Sequence, residues 1–116
     1  SLNATGDLKT VLDWKSGNRP VFYNPFFDLA KAKLGTHYFG ATPYIFDQIV
    51  VSPSMLEPGG WEYRNKSAKI VEKLAYHHRA SNTLRPDRFG GADDRRPLRN
   101  RGASDHFPVT IELKVP

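Results

Sequence analysis

From Phe107 onward the chain alternates: Phe107, Val109, Ile111, Leu113 and Val115 are apolar, while Pro108, Thr110, Glu112 and Lys114 between them are not. A period of two is that of a half-buried strand. Pro108 has no N–H to donate to a ladder, so it belongs at the strand's start or on an edge, which sets Asp105 and His106 at the strand's mouth. A second run, Tyr44 to Ser52, is apolar on both faces except for Asp47 and Gln48, and predicts a strand covered on both sides. Asp47 shares its face with Ile45, Ile49 and Val51, where a carboxylate needs a cationic or hydrogen-bonding partner. His106 is the natural candidate, and the two strands are expected to be neighbours.

The remaining segments are shorter. Leu8, Val11, Leu12 and Trp14 are spaced for one helical face, with Thr5 or Asp7 as cap and Gly17, Asn18 and Pro20 as stop. Asn24 to Gly35 predicts a helix of roughly two to three turns: Asn24 caps it, Pro25 suits the first helical position, and Gly35 ends it in the left-handed conformation. Thr36 to Phe39 suggests a short strand, with Gly40 to Pro43 as turn, and Pro53 with Glu57-Pro58-Gly59-Gly60 breaks the chain after Ser52. Ala68 to Glu72 fits a helix or a strand by periodicity alone. Leu74 to Arg79 reads as irregular or briefly helical, and Ser81 to Arg101 as a long loop without a period, of the kind that is functional or mobile.

At 116 residues the chain is one domain's length, and 39% hydrophobic residues are enough for a folded core. It has no cysteine, which removes disulfides and thiolate metal sites. No apolar run approaches the ~18 residues of a membrane span, and the N-terminus has no basic-then-apolar signal pattern. A soluble chain is expected, and the compartment stays open. The net charge of +5 is concentrated between Arg79 and Arg101, where Arg79, Arg85, Arg88, Arg95, Arg96, Arg99 and Arg101 outnumber Asp87, Asp93 and Asp94. Such a field suits a phosphate-bearing partner, and a solvated arginine-rich loop is the equally open alternative.

Phe46-Asp47-Gln48-Ile49-Val50-Val51-Ser52, followed by Gly102-Ala103-Ser104-Asp105-His106-Phe107-Pro108-Val109, resembles the last two motifs of the endonuclease/exonuclease/phosphatase superfamily: an Ile-Asp-x-Ile-x-x-Ser strand, then a Ser-Asp-His-x-Pro-Val strand. Phe46 replaces the usual Ile or Leu. Gly35-Thr36-His37-Tyr38-Phe39 is similar to the Gly-Thr-aromatic stretch that precedes the first motif. The N-terminal Asn, the metal-binding Glu and the Gly-Asp-x-Asn motif have no convincing counterpart. Thr5-Gly6-Asp7-Leu8-Lys9 comes nearest, with Lys9 in place of Asn and no hydrophobic strand ahead of it. The resemblance therefore implies that residues 1–116 are the C-terminal half of such a domain, α+β, part of a two-sheet β-sandwich flanked by helices in the DNase I-like four-layer fold. It also tips Ala68 to Val71 towards a strand.

The resemblance implies a phosphoester hydrolase using Mg²⁺ or another divalent cation, on nucleic acid, phospholipid or inositol phosphate. Asp47 would orient His106 and favour its charged form, leaving the other ring nitrogen for phosphate or water. Asp105 would bind the cation or accept a proton, and both roles stay open. Tyr44, Arg99 and Arg101 are candidates for substrate contact, each with a packing or surface-loop alternative. His37, between Thr36 and Tyr38, could approach the site, with packing the preferred reading, and His77 and His78 read as loop histidines. The isolated segment is expected to be inactive and to hide an apolar sheet face by self-association. The alternative function is a non-catalytic module, either structural or binding nucleic acid through its arginines.

Overall fold

A computed structural model of the chain describes residues 2–14, 19–72, 77–80, 83–90 and 94–116. Strand β1 (Ala4–Thr5) runs parallel to β2 (Phe22–Tyr23). A short strand thus does lead into Gly6 and Asp7, where the sequence suggested none. Between the two lies helix α1 (Leu8–Leu12), started by the Asp7 carboxylate, which accepts the Lys9 N–H at 3.1 Å. Val11, Tyr23, Val51 and Tyr63 form the buried cluster, with Leu8, Val21, Met55, Leu56 and Ile111 packed against it.

Helix α2 (Phe26–Lys31) is shorter than expected and has Pro25, not Asn24, at its N-cap; Asn24 braces the start from one residue further out, its Oδ1 accepting the Phe26 N–H at 3.0 Å. Past the Ala32 C-cap the left-handed residue is Lys33, with φ of 57°, and not Gly35: the Lys33 and Leu34 N–H groups return to the Ala30 and Leu29 carbonyls. Gly35 has another use. A Cβ there would stand 2.6 Å from the Pro43 Cβ, so its missing side chain lets strand β3 (His37–Phe39) fold back against β4 (Thr42–Tyr44).

The expected strand Tyr44 to Ser52 is not one continuous strand. Only Tyr44 belongs to β4, residues 45–50 join no ladder among the described residues, and Val51 makes a single antiparallel bridge to Tyr23. Side chains have replaced the ladder. The Thr36 hydroxyl accepts the N–H groups of Phe46 and Asp47 at 3.1 and 3.2 Å, and Gln48 is held by Asn24 and donates to the Ile45 carbonyl.

The C-terminal alternation is real at its start and divides further on. Phe107 is buried, β9 (Val109–Thr110) pairs with β6 (Lys69–Ile70), and β10 (Leu113–Lys114) pairs with β5 (Glu62–Tyr63). The change of partner occurs at Glu112, whose N–H bonds to the buried Ser67 hydroxyl at 3.0 Å. β6 confirms the strand reading of Ala68 to Val71. The expected direct pairing of the two motif segments is corrected. Thr36 lies between them, its N–H going to the Tyr44 carbonyl and its carbonyl accepting the Phe107 N–H at 2.7 Å.

The arginine-rich region is also more ordered than its sequence suggests. β7 (His77–Ala80) and β8 (Thr83–Pro86) form an antiparallel hairpin, so His77 and His78 lie on a strand, and Leu98–Asn100 make a 3₁₀ turn. The expected conformation of Leu74 to Tyr76, and that of Ser81, falls outside the described residues. A hairpin of His, Arg and Thr has no apolar period to reveal it.

These elements are small two-stranded pairs with few helices, a mixed α and β architecture. The radius of gyration is 17.4 Å, against roughly 13 Å for a compact chain of this length. The accessible surface is 8267 Å², where a compact monomer exposes roughly 6400 Å². Among the described residues no helix is long and apolar enough to cross a membrane.

Candidate active site

Thr36 organises the site. It is fully buried, and its backbone and hydroxyl together tie β4, the Phe46–Asp47 segment and Phe107 into one place. Phe107 is anchored by that bond and by an edge-on contact with Tyr38, centroids 6.3 Å apart. With Phe107 fixed, the tight turn before it is held by the His106 N–H donating to the Ser104 hydroxyl at 3.0 Å. Upstream, Gly102 packs flush on the 87–88 backbone: a Cβ would fall 1.3 Å from the Asp87 carbonyl oxygen. A side chain there would force the 87–88 backbone and the Gly102 segment apart.

The result is a direct contact between groups 59 residues apart. His106 Nδ1 lies 2.5 Å from Asp47 Oδ2, and both side chains remain about one-third exposed, at 33% and 39%. Asp47 is therefore not the buried carboxylate its sequence suggests, since its face opens towards solvent. Burial pushes its carboxyl up, but the Thr36 hydroxyl and the His106 imidazole outweigh that and hold it below the ordinary value. An ionised carboxylate accepts, so Nδ1 carries the proton of the shared bond and Nε2 is left for a ligand.

His37 belongs to this cluster, which favours the approach to the site over the packing role preferred from sequence. Its Nδ1 is 3.1 Å from the Asp105 carbonyl oxygen and 3.8 Å from Asp105 Oδ2. Its ring lies 4.9 Å from that of His106 and stacks on Phe46 at 5.3 Å. Tyr44 extends the stack, 5.5 Å from Phe46. The usable sequence signal was parity: Tyr38 packs inward on Phe107, so His37 on the same strand faces the other way, towards the Asp-His turn.

Arg99 and Arg101 are not brought to the Asp47–His106 pair. Arg101 donates to the carbonyls of Arg96 and Asp94 and lies over the Phe89 ring at 5.7 Å, and Arg99 is exposed in the 3₁₀ turn. Asp7, in the nearest match to the Gly-Asp-x-Asn motif, is occupied as the cap of α1.

His37, Asp105 and His106 place one ligand atom each within 4.8 Å of one another. Imidazole suits zinc, copper, iron or nickel better than magnesium, which takes oxygen ligands, often one or two carboxylates with waters and substrate phosphate. Asp105, half exposed, fits as one such carboxylate, and the two histidines do not fit as magnesium ligands.

The assembly is thus an Asp-His turn braced by a distant carboxylate. The chain belongs to the endonuclease/exonuclease/phosphatase family, whose model matches residues 3–115. The family is one of phosphoesterases and nuclease-type hydrolases, typically dependent on a divalent metal. No curated protein and no solved structure matches the chain.

Proposed function

We propose that this chain contributes the Asp-His half of a metal-dependent phosphoesterase site. The observation that carries the reading is the 2.5 Å contact between Asp47 and His106. Asp47 holds the imidazole in one tautomer, and Nε2 engages a phosphate oxygen or the attacking water. Asp105 binds the divalent cation or takes a proton from the water. When bound, the cation neutralises charge growing on the phosphate oxygens. Tyr44 and Phe46 wall the site with stacked rings.

The same reading makes the segment the C-terminal half of a DNase I-like four-layer sandwich. The surplus of surface supports it, as do Phe46, Trp61, Leu113 and Val115, all exposed apolar side chains. The 116-residue chain alone is then inactive and self-associates. Light scattering on a sizing column tests this: a monodisperse monomer at high concentration, turning over phosphodiesters on its own, would mean that the segment is self-sufficient.

The role of the pair is tested in the complete gene product. Hydrolysis of bis(p-nitrophenyl) phosphate with magnesium or manganese should fall at least ~100-fold in His106→Ala. Full turnover in that variant would remove the pair from the chemistry. The non-catalytic alternative, nucleic-acid binding through the arginines, has less support, because Arg96 and Arg101 are occupied within their own loop.

A further inference from the structure

Beside Asp105 lies an open cleft of about 430 Å³ whose walls include Tyr38, Phe39, Arg85, Arg88 and Arg96. Phe39 is 76% exposed, unusual for a phenylalanine in a strand. By the period of two it shares a face with His37, about 7 Å further along β3. An aromatic face thus stands one step from the Asp105-His106 turn, at the rim of a cleft that reaches it. The Gly40 bend after it has φ of 61°, and the Arg85 guanidinium donates to the Gly40 carbonyl at 3.2 Å, fixing the hairpin tip against β8.

The charges in the cleft select among phosphate ligands. Arg96 is committed to Asp87 and Asp94, both at 2.8 Å. Arg88 is exposed, and its guanidinium has no partner among the described residues. Arg85 is partly spent on the Gly40 carbonyl, and its Nε is shut off from water without an acceptor among the described residues. The lining carries Arg85, Arg88 and Arg96 against Asp87 and Asp105, which leaves one net positive charge. That matches the single charge of a phosphodiester, and it is too little for a polyphosphorylated inositol headgroup, which also has no flat face to stack.

We propose that this cleft seats the nucleotide next to the scissile phosphodiester of a single-stranded nucleic acid, with Phe39 stacking its base and Arg88 contacting its phosphate. The proposal rests on the reading of Asp105 and His106 as the reacting centre. Base stacking on an exposed aromatic tolerates any sequence and needs an unpaired base.

The test is the anisotropy of a fluorescein-labelled short oligothymidylate bound to the complete gene product in EDTA, so that affinity is read without cleavage. Phe39→Ala should weaken binding about 10-fold or more and Phe39→Trp should restore it. Arg88→Ala should weaken binding and lower the salt slope by about one. Both positions are exposed, so the thermal midpoints should not move. Unchanged affinity in Phe39→Ala and Arg88→Ala overturns the proposal. So does tight binding to vesicles containing phosphatidylinositol bisphosphate that the oligonucleotide fails to displace. Neither result touches the reacting centre, which fails separately if His106→Ala keeps full turnover.

Discussion

Two regions among the described residues are dense in polar side-chain contacts, and they are built on opposite plans. Around Thr36, bonds to residues 44, 46 and 47, which lie 8 to 11 positions on, are joined by the Phe107 N–H from the far end of the chain, and His106 meets Asp47 across 59 positions. In the arginine-rich loop, Arg96 meets Asp94, Asp87, Arg88 and Asn100, all within nine residues of it. The first plan fixes a geometry for chemistry, since moving any one segment moves Asp47 relative to His106. The second folds the loop upon itself and consumes much of the positive charge that made it look like a phosphate-binding surface. A charge count alone does not distinguish an available arginine such as Arg88 from a committed one such as Arg96.

The contrast is sharpest at Thr36. Thr36→Val leaves the N–H groups of Phe46 and Asp47 without their acceptor and should cost about 2 kcal/mol or more of stability. It should also cut turnover of the complete gene product about 100-fold, because Asp47 no longer holds the imidazole in place. Arg101→Ala, which removes contacts to carbonyls within the loop, should leave turnover unchanged. Chemical denaturation and steady-state rates on the two variants check this, and equal losses in both would erase the distinction between the regions.

A smaller effect separates the two carboxylates. Arg96 holds the Asp94 carboxyl down to about 2, and Asp47 also lies below its ordinary value. A depressed carboxyl adds stability above its unfolded value of about 3.9 and loses it as pH falls through the folded one. Both contributions are therefore complete at neutral pH and are lost only in acid. His106→Ala removes one of the causes that lower Asp47, so burial should lift its titration midpoint while that of Asp94 stays put. Carboxyl carbon shifts followed against pH give both midpoints in one experiment, and joint movement would contradict the separate plans.

The Asp47–His106 contact was more legible in the sequence than the fold around it. A carboxylate among Ile45, Ile49 and Val51 demands a partner, and Pro108 marks where the last strand begins, although the Asp47 face proves open to solvent. The Tyr44 to Ser52 strand misled because apolar residues on both faces suggest a covered ladder, whereas a threonine hydroxyl and Gln48 satisfy that backbone instead. Nothing local to residues 46 and 47 announces a bond to residue 36. For His37 the sequence favoured packing over the site for a related reason: its orientation comes from what Tyr38 and Phe107 do on the other face. The β7–β8 hairpin has no apolar alternation, so only its backbone pairing reveals it.

The central claim is that Asp47 holds His106 with the proton on Nδ1, freeing Nε2 for phosphate. Nitrogen-15 spectra of the imidazole rings at neutral pH, recorded with and without dimethyl phosphate, test it most directly. The account predicts a protonated Nδ1 on His106 whose signal changes in Asp47→Asn, and an Nε2 that shifts when the phosphodiester is added. A proton on Nε2 alone, indifferent both to Asp47→Asn and to dimethyl phosphate, would contradict it.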